Sequence, residues 1–220
     1  MPVNLDRVGR RDGAVSRREQ SKQETREQIR LAARDVFGRV GFDKATIRDI
    51  ATAAGVGLGT VMLYAQDKRD LVLLMYNDEI ALALRRAMAK IDDSAPTIVN
   101  LYRFLGSFYQ GYRRNVLLAR TYLQLSFYPE GLNTRQLYEH RAKKLAILEA
   151  VISRGQQRGD IRDDIAPMDM AEQVLLLHRA SVRSWISSGE PKLRDGLASL
   201  RKSLMYQIEG FAVTRRHVVN

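Results

Sequence analysis

An all-α chain is predicted here, with a small tri-helical unit at its N-terminus and a bundle of longer helices behind it. Three observations predict it. Apolar residues recur at helical spacing along most of the chain, no stretch alternates apolar and polar residues over a useful strand length, and capping and stop residues punctuate the periodic segments. The 220 residues, 45% of them hydrophobic, suit one large domain or two small ones. No internal repeat is visible.

Residues 1–21 read as a disordered basic arm, in which Arg7, Arg10, Arg11, Arg17 and Arg18 stand among few apolar residues. Such an arm can follow phosphates or enter a minor groove, or it can be an inert tail. Over 22–40 the residues Ile29, Ala32, Ala33, Val36, Phe37 and Val40 form one helical stripe, and Gly41 stands where a left-handed C-cap is wanted. Thr46 and Asp49 then make a capping box, followed by Ile47, Ile50, Ala51 and Ala54 on one face. Small Ala51 and Ala54 allow close helix approach, and Gly55 makes the turn. Val56 and Val61 are expected to plug the angle between this helix and the next. Asp67 and Asp70 repeat the capping signature and open a long helix over 68–91.

The remainder reads as helix throughout. Ser94 and Pro96 open a helix reaching about Arg114, and 115–127 form a shorter apolar segment closed by Pro129 and Gly131. Asn133 with Gln136 starts a helix that ends near Gly159, and Pro167 starts another that ends at Gly189. Pro191 is expected at the first position of the last helix, which carries Leu193, Leu197, Leu200, Leu204, Ile208 and Phe211 on one face. Roughly nine helices result, enough for a bundle.

The composition narrows the function. A net charge of +11 suggests an anionic partner, but residues 1–70 hold 14 Lys/Arg against 10 Asp/Glu and residues 71–220 hold 22 against 15, so the excess is spread along the chain. There is no cysteine, and His140, His178 and His217 are far apart without ligand spacing, so neither a metal nor a cofactor is expected. The glycines of GVGLGT lack the preceding strand and the GK[ST] of a phosphate loop. No catalytic constellation is present, so an enzyme is not expected. Neither an apolar run of about 18 residues nor a secretory leader is seen, and a cytoplasmic protein is expected.

Residues 46–68 read TIRDIATAAGVGLGTVMLYAQDK, two short helices joined by a glycine turn with a third helix starting at the end. That is the layout of a helix-turn-helix, whose second helix can lie in the major groove of DNA. Together with VFGRVGFDKA before it and RDLV after it, the stretch resembles the N-terminal domain of TetR-family transcriptional regulators, with no insertion between Thr46 and Leu71. Arg48 lies off the buried stripe, where it can bond a phosphate or a guanine edge. Gly59 permits close backbone approach, Thr60 can bond phosphate or touch a thymine methyl, and Tyr64 offers a hydroxyl. The resemblance adds Lys68 as a phosphate contact. The candidate interface is therefore Thr46, Arg48, Leu58, Gly59, Thr60, Met62, Leu63, Tyr64 and Lys68. Three positions depart from the family: Gly57 replaces the usual serine or threonine cap, Met62 a common tyrosine and Ala65 a common aromatic residue. Leu58, Met62 and Leu63 could contact thymine methyls or could pack against protein.

The resemblance also implies a DNA-binding domain over 22–77 and an effector-binding and dimerisation domain over 78–220. It implies a homodimer through the last two helices, a near-palindromic operator on double-stranded DNA, and release by a small molecule. The aromatic residues between 102 and 138 favour a largely apolar or aromatic effector. Tyr109, Tyr112, Gln124, His178 and Arg179 are the candidate polar lining. The Met170, Val174, Leu177 and Trp185 stripe is the expected dimer face of the penultimate helix. The competing reading is an all-helical ligand-binding or adaptor protein without specific DNA affinity, motivated by the apolar recognition helix.

Overall fold

Ten helices follow one another in the computed structural model, which describes residues 16–210; among these residues there is no strand. Arg7, Arg10, Arg11, Phe211 and His217 lie outside the described residues. α1 (Arg17–Lys44) begins before its apolar stripe, because Ser16 accepts a hydrogen bond from the Glu19 amide and Glu19 places a carboxylate in the first turn. Residues 17–21 therefore belong to a helix and not to the expected arm. Regular helix geometry is interrupted at Gly41 (φ 81°), and Ala45 N–H then closes back on the Gly41 carbonyl.

α2 (Ile47–Ala54) has both halves of the predicted capping box, Asp49 N–H to Thr46 Oγ1 at 3.1 Å and Thr46 N–H to Asp49 Oδ2 at 3.0 Å. Gly55 turns the chain at φ 67°, a conformation that costs other residues about 1–2 kcal/mol. α3 (Leu58–Met62) is anchored by Val61, which is completely buried and contributes about 1.5–3 kcal/mol by that burial. α1, α2 and α3 pack around Ile29, Ala33, Phe37, Ile50 and Val61.

α4 (Lys68–Met88) starts at Asp67, which accepts from the Asp70 amide at 2.7 Å, and runs out of this head into the body. Its residues from Asp70 to Asn77 are all buried, so it is the central strut of the molecule. Two joints tie head to body beside it. In the first, Glu79 of α4 pairs with Arg34 of α1 and with Arg114 of the body. In the second, the buried Asp70 carboxylate accepts from the amides of Gln66, Leu132 and Asn133 and from the Asn133 side chain, at 2.9–3.1 Å. Gly131 (φ 116°) makes that joint possible, since a Cβ there would lie 2.5 Å from the Asp70 carboxyl carbon.

The expected single helix from Pro96 to Arg114 is two, α5 (Thr97–Gly106) and α6 (Tyr109–Arg113). At the break the amides of Ser107 and Phe108 bond three residues back instead of four, which tightens the chain and re-aims Phe108, Tyr109 and Tyr112 into the core. α5 is capped from a distance, by Asp160 accepting from Thr97 N–H at 2.8 Å and from its hydroxyl at 2.9 Å. α7 (Val116–Leu125) follows its cap Asn115.

α8 (Thr134–Arg158) starts where predicted, but Asn133 makes no side-chain cap bond; its amide donates to Asp70 and to the Tyr64 carbonyl instead. α9 (Pro167–Ser187) has Pro167 at its first position. α10 (Leu193–Glu209) starts two residues beyond Pro191, a correction of the expected first position. The stripes expected to face a partner subunit are largely internal: Val174, Trp185, Leu200 and Leu204 are buried, and Met170, Leu177, Leu193 and Leu197 are half-buried. What α9 and α10 leave exposed is an offset face with Leu176, Ala180, Met205 and Tyr206.

Candidate DNA interface and effector cavity

The head presents a short outward ridge. Val61 and Ala65 are sealed in the core and hold the helix, while Leu58 (43% exposed), Met62 (42%) and Leu63 (76%) face outward. These three are therefore not interior filling. Gly59 is exposed and Thr60 half-buried beside them. Arg48 is exposed on α2 and forms no ion pair among the described residues; Lys44 and Arg69, which sequence reasoning passed over, are in the same condition. Being lone cations between motif residues, they carried no pattern that would have singled them out.

Three of the expected contacts have other engagements in this structure. The Thr46 hydroxyl is committed to the capping box, donating to Asp49 at 2.7 Å. The same pair, with the Thr46 hydroxyl and amide as donors, pulls the Asp49 carboxyl below its usual range. Tyr64 donates its hydroxyl to the Lys22 carbonyl at 3.1 Å, fastening the trailing end of the α3 region to α1. Lys68 donates to the carbonyls of Phe42 and Asp43 at 3.0 Å each, and its ammonium lies 4.7 Å from the Phe42 ring centroid. It caps the end of α1, and two of its three N–H groups are taken.

In the body, a cavity of about 160 Å³ lies between α4, α6, α7, α8 and α9. Of the predicted lining, Tyr112, His178 and Arg179 border it; Tyr109 stands behind it, its ring 5.9 Å from that of His178. Gln124 is exposed and does not line it, because that face of α7 turns to solvent. Tyr112 stacks with Tyr76 and Tyr122, and burial raises all three phenols. Burial holds His178 down to about 3, so its imidazole is neutral at pH 7, and its Nε2 has no hydrogen-bond partner. The Arg179 guanidinium stacks 4.5 Å from the Phe127 ring centroid.

Among the lining residues that sequence reasoning missed, two are buried and ionisable, His140 and Lys144. Both ring nitrogens of His140 lack partners, and burial lowers its pKa. Lys144 is 9% exposed, with its ammonium 4.1 Å from the Phe108 ring centroid, and burial lowers it to about 8. A signal existed. Leu137, His140, Lys144, Leu148 and Val151 share the buried face of α8, so two ionisable residues occupy positions where the helical period demands apolar ones. A larger cavity, about 710 Å³, opens between the far ends of α8, α9 and α10 and is rimmed by Asp160, Asp169, Glu172 and Glu209. It lies away from the head and from the aromatic core.

Residues 29–75 match the family model described as bacterial regulatory proteins, tetR family. The fatty acid metabolism regulator protein of Bacillus subtilis (strain 168) is 23% identical over 164 residues, which cover 74% of this chain and 84% of that protein. FadR from Bacillus subtilis, solved in complex with stearoyl-CoA, is similar at TM-score 0.68 and 20% identity, over 84% of this chain and 99% of that one. Thermus thermophilus FadR, a TetR-family repressor solved in complex with lauroyl-CoA, is similar at TM-score 0.70 and 21% identity, over 89% of this chain and 99% of that one. At these identities the structural likeness establishes the shared fold.

Proposed function

We infer the function from one premise, that this chain is a TetR-family DNA-binding transcriptional regulator. It represses by holding an operator and lets go when a small molecule enters the body. The single observation that carries the reading is the outward ridge of α3, because a short helix anchored by Val61 with Leu58, Met62 and Leu63 left in solvent is a surface made to meet another molecule. We divide the chain within α4, with 22–77 reading DNA and 78–220 receiving the effector. Two copies joined through the offset face of α9 and α10 would place two ridges about 34 Å apart, which calls for a near-palindromic site on double-stranded DNA. Arg48, Lys44 and Arg69 supply phosphate or guanine contacts, and the apolar ridge meets thymine methyls. The protein works in the cytoplasm, as a regulator and not a catalyst.

The effector belongs in the cavity between α4 and α9. The relatives solved with stearoyl-CoA and lauroyl-CoA make an acyl-bearing molecule the first class to try. Release follows if the effector tilts α4, whose first turn adjoins the recognition ridge and whose Ile80 borders the cavity. The test is a mobility shift with the DNA upstream of the protein's own gene. Affinity should fall steeply with salt and exceed that for random DNA by at least about 10³-fold. Binding no tighter than to random DNA would favour the adaptor reading.

A further inference from the structure

The effector cavity contains a positive charge that the protein leaves unanswered. Lys144 is nine-tenths buried, forms no ion pair and no hydrogen bond among the described residues, and rests only on the Phe108 ring. A buried ammonium without a counter-charge is one of the costliest arrangements in a protein interior. The groups around it deepen the deficit. Arg179 adds a second cation, engaged only with the Phe127 ring and, at 3.4 Å, the Ser126 carbonyl. His178 and His140 border the same space with unpartnered ring nitrogens, and the cavity's lining includes no acidic residue. Arg141, exposed on α8, is a third cation at the edge, and Ile80, Leu123, Leu175 and Val182 supply apolar wall beside Ser126 and the phenols of Tyr112 and Tyr138.

We propose that this cavity takes an apolar carboxylic acid, its carboxylate seated against the Lys144 ammonium and its hydrocarbon part against Ile80, Leu175 and Val182. Arg179 reaches the same anion from α9, and a neutral His178 donates or accepts through Nε2. This deepens the effector reading above and rests on it. It also separates two members of the acyl class. A free acid supplies the missing charge inside the cavity, whereas a coenzyme A thioester would present that ammonium with an uncharged acyl chain and leave the deficit in place.

The experiment titrates the full-length protein with octanoate, methyl octanoate and octanoyl-CoA and follows Trp185, the chain's single tryptophan, whose ring centroid lies 4.9 Å from that of Tyr109. Calorimetry serves as the second readout. Octanoate should bind about 10- to 100-fold more tightly than its methyl ester, the range expected for a hydrogen-bonded buried charge pair. Lys144→Met should erase that preference while leaving ester binding, helicity and DNA binding in place, and Lys144→Arg should keep most of it. Equal affinity for acid and ester in the wild type, or a preference that survives in Lys144→Met, overturns the proposal. Tight octanoyl-CoA binding without an acid preference overturns it and leaves the effector reading standing. Binding of none of the three by a protein that still shifts DNA overturns both. A clear acid preference without release of DNA upholds the anion site and sinks the release mechanism alone.

Discussion

The head and the body treat their polar groups differently. Within residues 16–67 no buried side-chain nitrogen or oxygen lacks a partner: Thr46 and Asp49 satisfy one another, Tyr64 reaches Lys22, and Asp67 caps α4. Among the described residues six such orphan atoms occur, one on Asn77 in the connecting helix α4 and five in the body, on Tyr109, Thr134, His140 and His178. Since each orphan costs about 1–3 kcal/mol, the contrast is energetically large. The head is internally complete, and the side chains proposed to meet DNA point outward. In the body, three of the orphan atoms, on His140 and His178, border the cavity proposed for the effector.

The largest way to break this contrast lies at the joint between the two regions. Asp70→Ala removes a carboxylate that satisfies four N–H donors, so unfolding in denaturant should show a loss of about 4 kcal/mol. A loss under 1 kcal/mol would mean the joint is not the fastening described. Acid should act next, on the body. His178 titrates near 3 in the folded protein and near 6.5 unfolded, so between those values the unfolded chain binds more protons and stability falls as pH falls. Its contribution is complete above pH 6.5, is reduced by about 2 kcal/mol at pH 5, and is lost below pH 3. His178→Phe should flatten that part of the pH profile, and an unchanged profile would place the acid sensitivity elsewhere.

Lys144 works with the same hand in a higher pH window. Its folded value near 8 lies below the ordinary lysine value of 10.5, so it penalises the folded state fully below pH 8, and stability recovers as pH rises through 8 to 10.5. Lys144→Met should therefore raise the ligand-free stability at pH 7 by about 2 kcal/mol in thermal unfolding; a drop in stability would show the charge to be compensated. In the head, Arg48→Ala should weaken operator binding about tenfold without moving the melting temperature, measured by fluorescence anisotropy. Undiminished affinity would remove Arg48 from the interface. Thr46→Ala should cost about 1 kcal/mol of stability through the lost cap, and a larger effect on DNA binding than on stability would return the hydroxyl to the interface.

Local chemistry made much of this legible. The Thr46 cap, Gly41, Gly55 and Gly159 at positive φ, and the stripe from Ile29 to Phe37 each depend on residues within a turn or two of one another, whereas the Ser16 cap of α1 went unread. Val61 as the buried plug of α3 was readable for the same reason, while the exposure of Leu58, Met62 and Leu63 was left open until the structure decided it. Elsewhere the decisive partner was distant. Asn133 read as a cap because its neighbours fit one, yet its amide went to Asp70, and Gln124 read as lining although its face of α7 met solvent. Lys68, which the family resemblance implies as a phosphate contact, also reaches across to the end of α1, a bond no local pattern announced.

The sequence by itself determined the all-helical class, the order of most helices and the capped turn from α2 into α3, because periodicity and capping act over a few residues. Only the tertiary structure decided the split between α5 and α6, which side of α9 and α10 stays free, and the gathering of His140, Lys144, His178 and Arg179 around one cavity. Those outcomes depend on which faces α8 and α9 turn toward each other. Helix packing settles that among residues dozens of positions apart, where no local preference reaches.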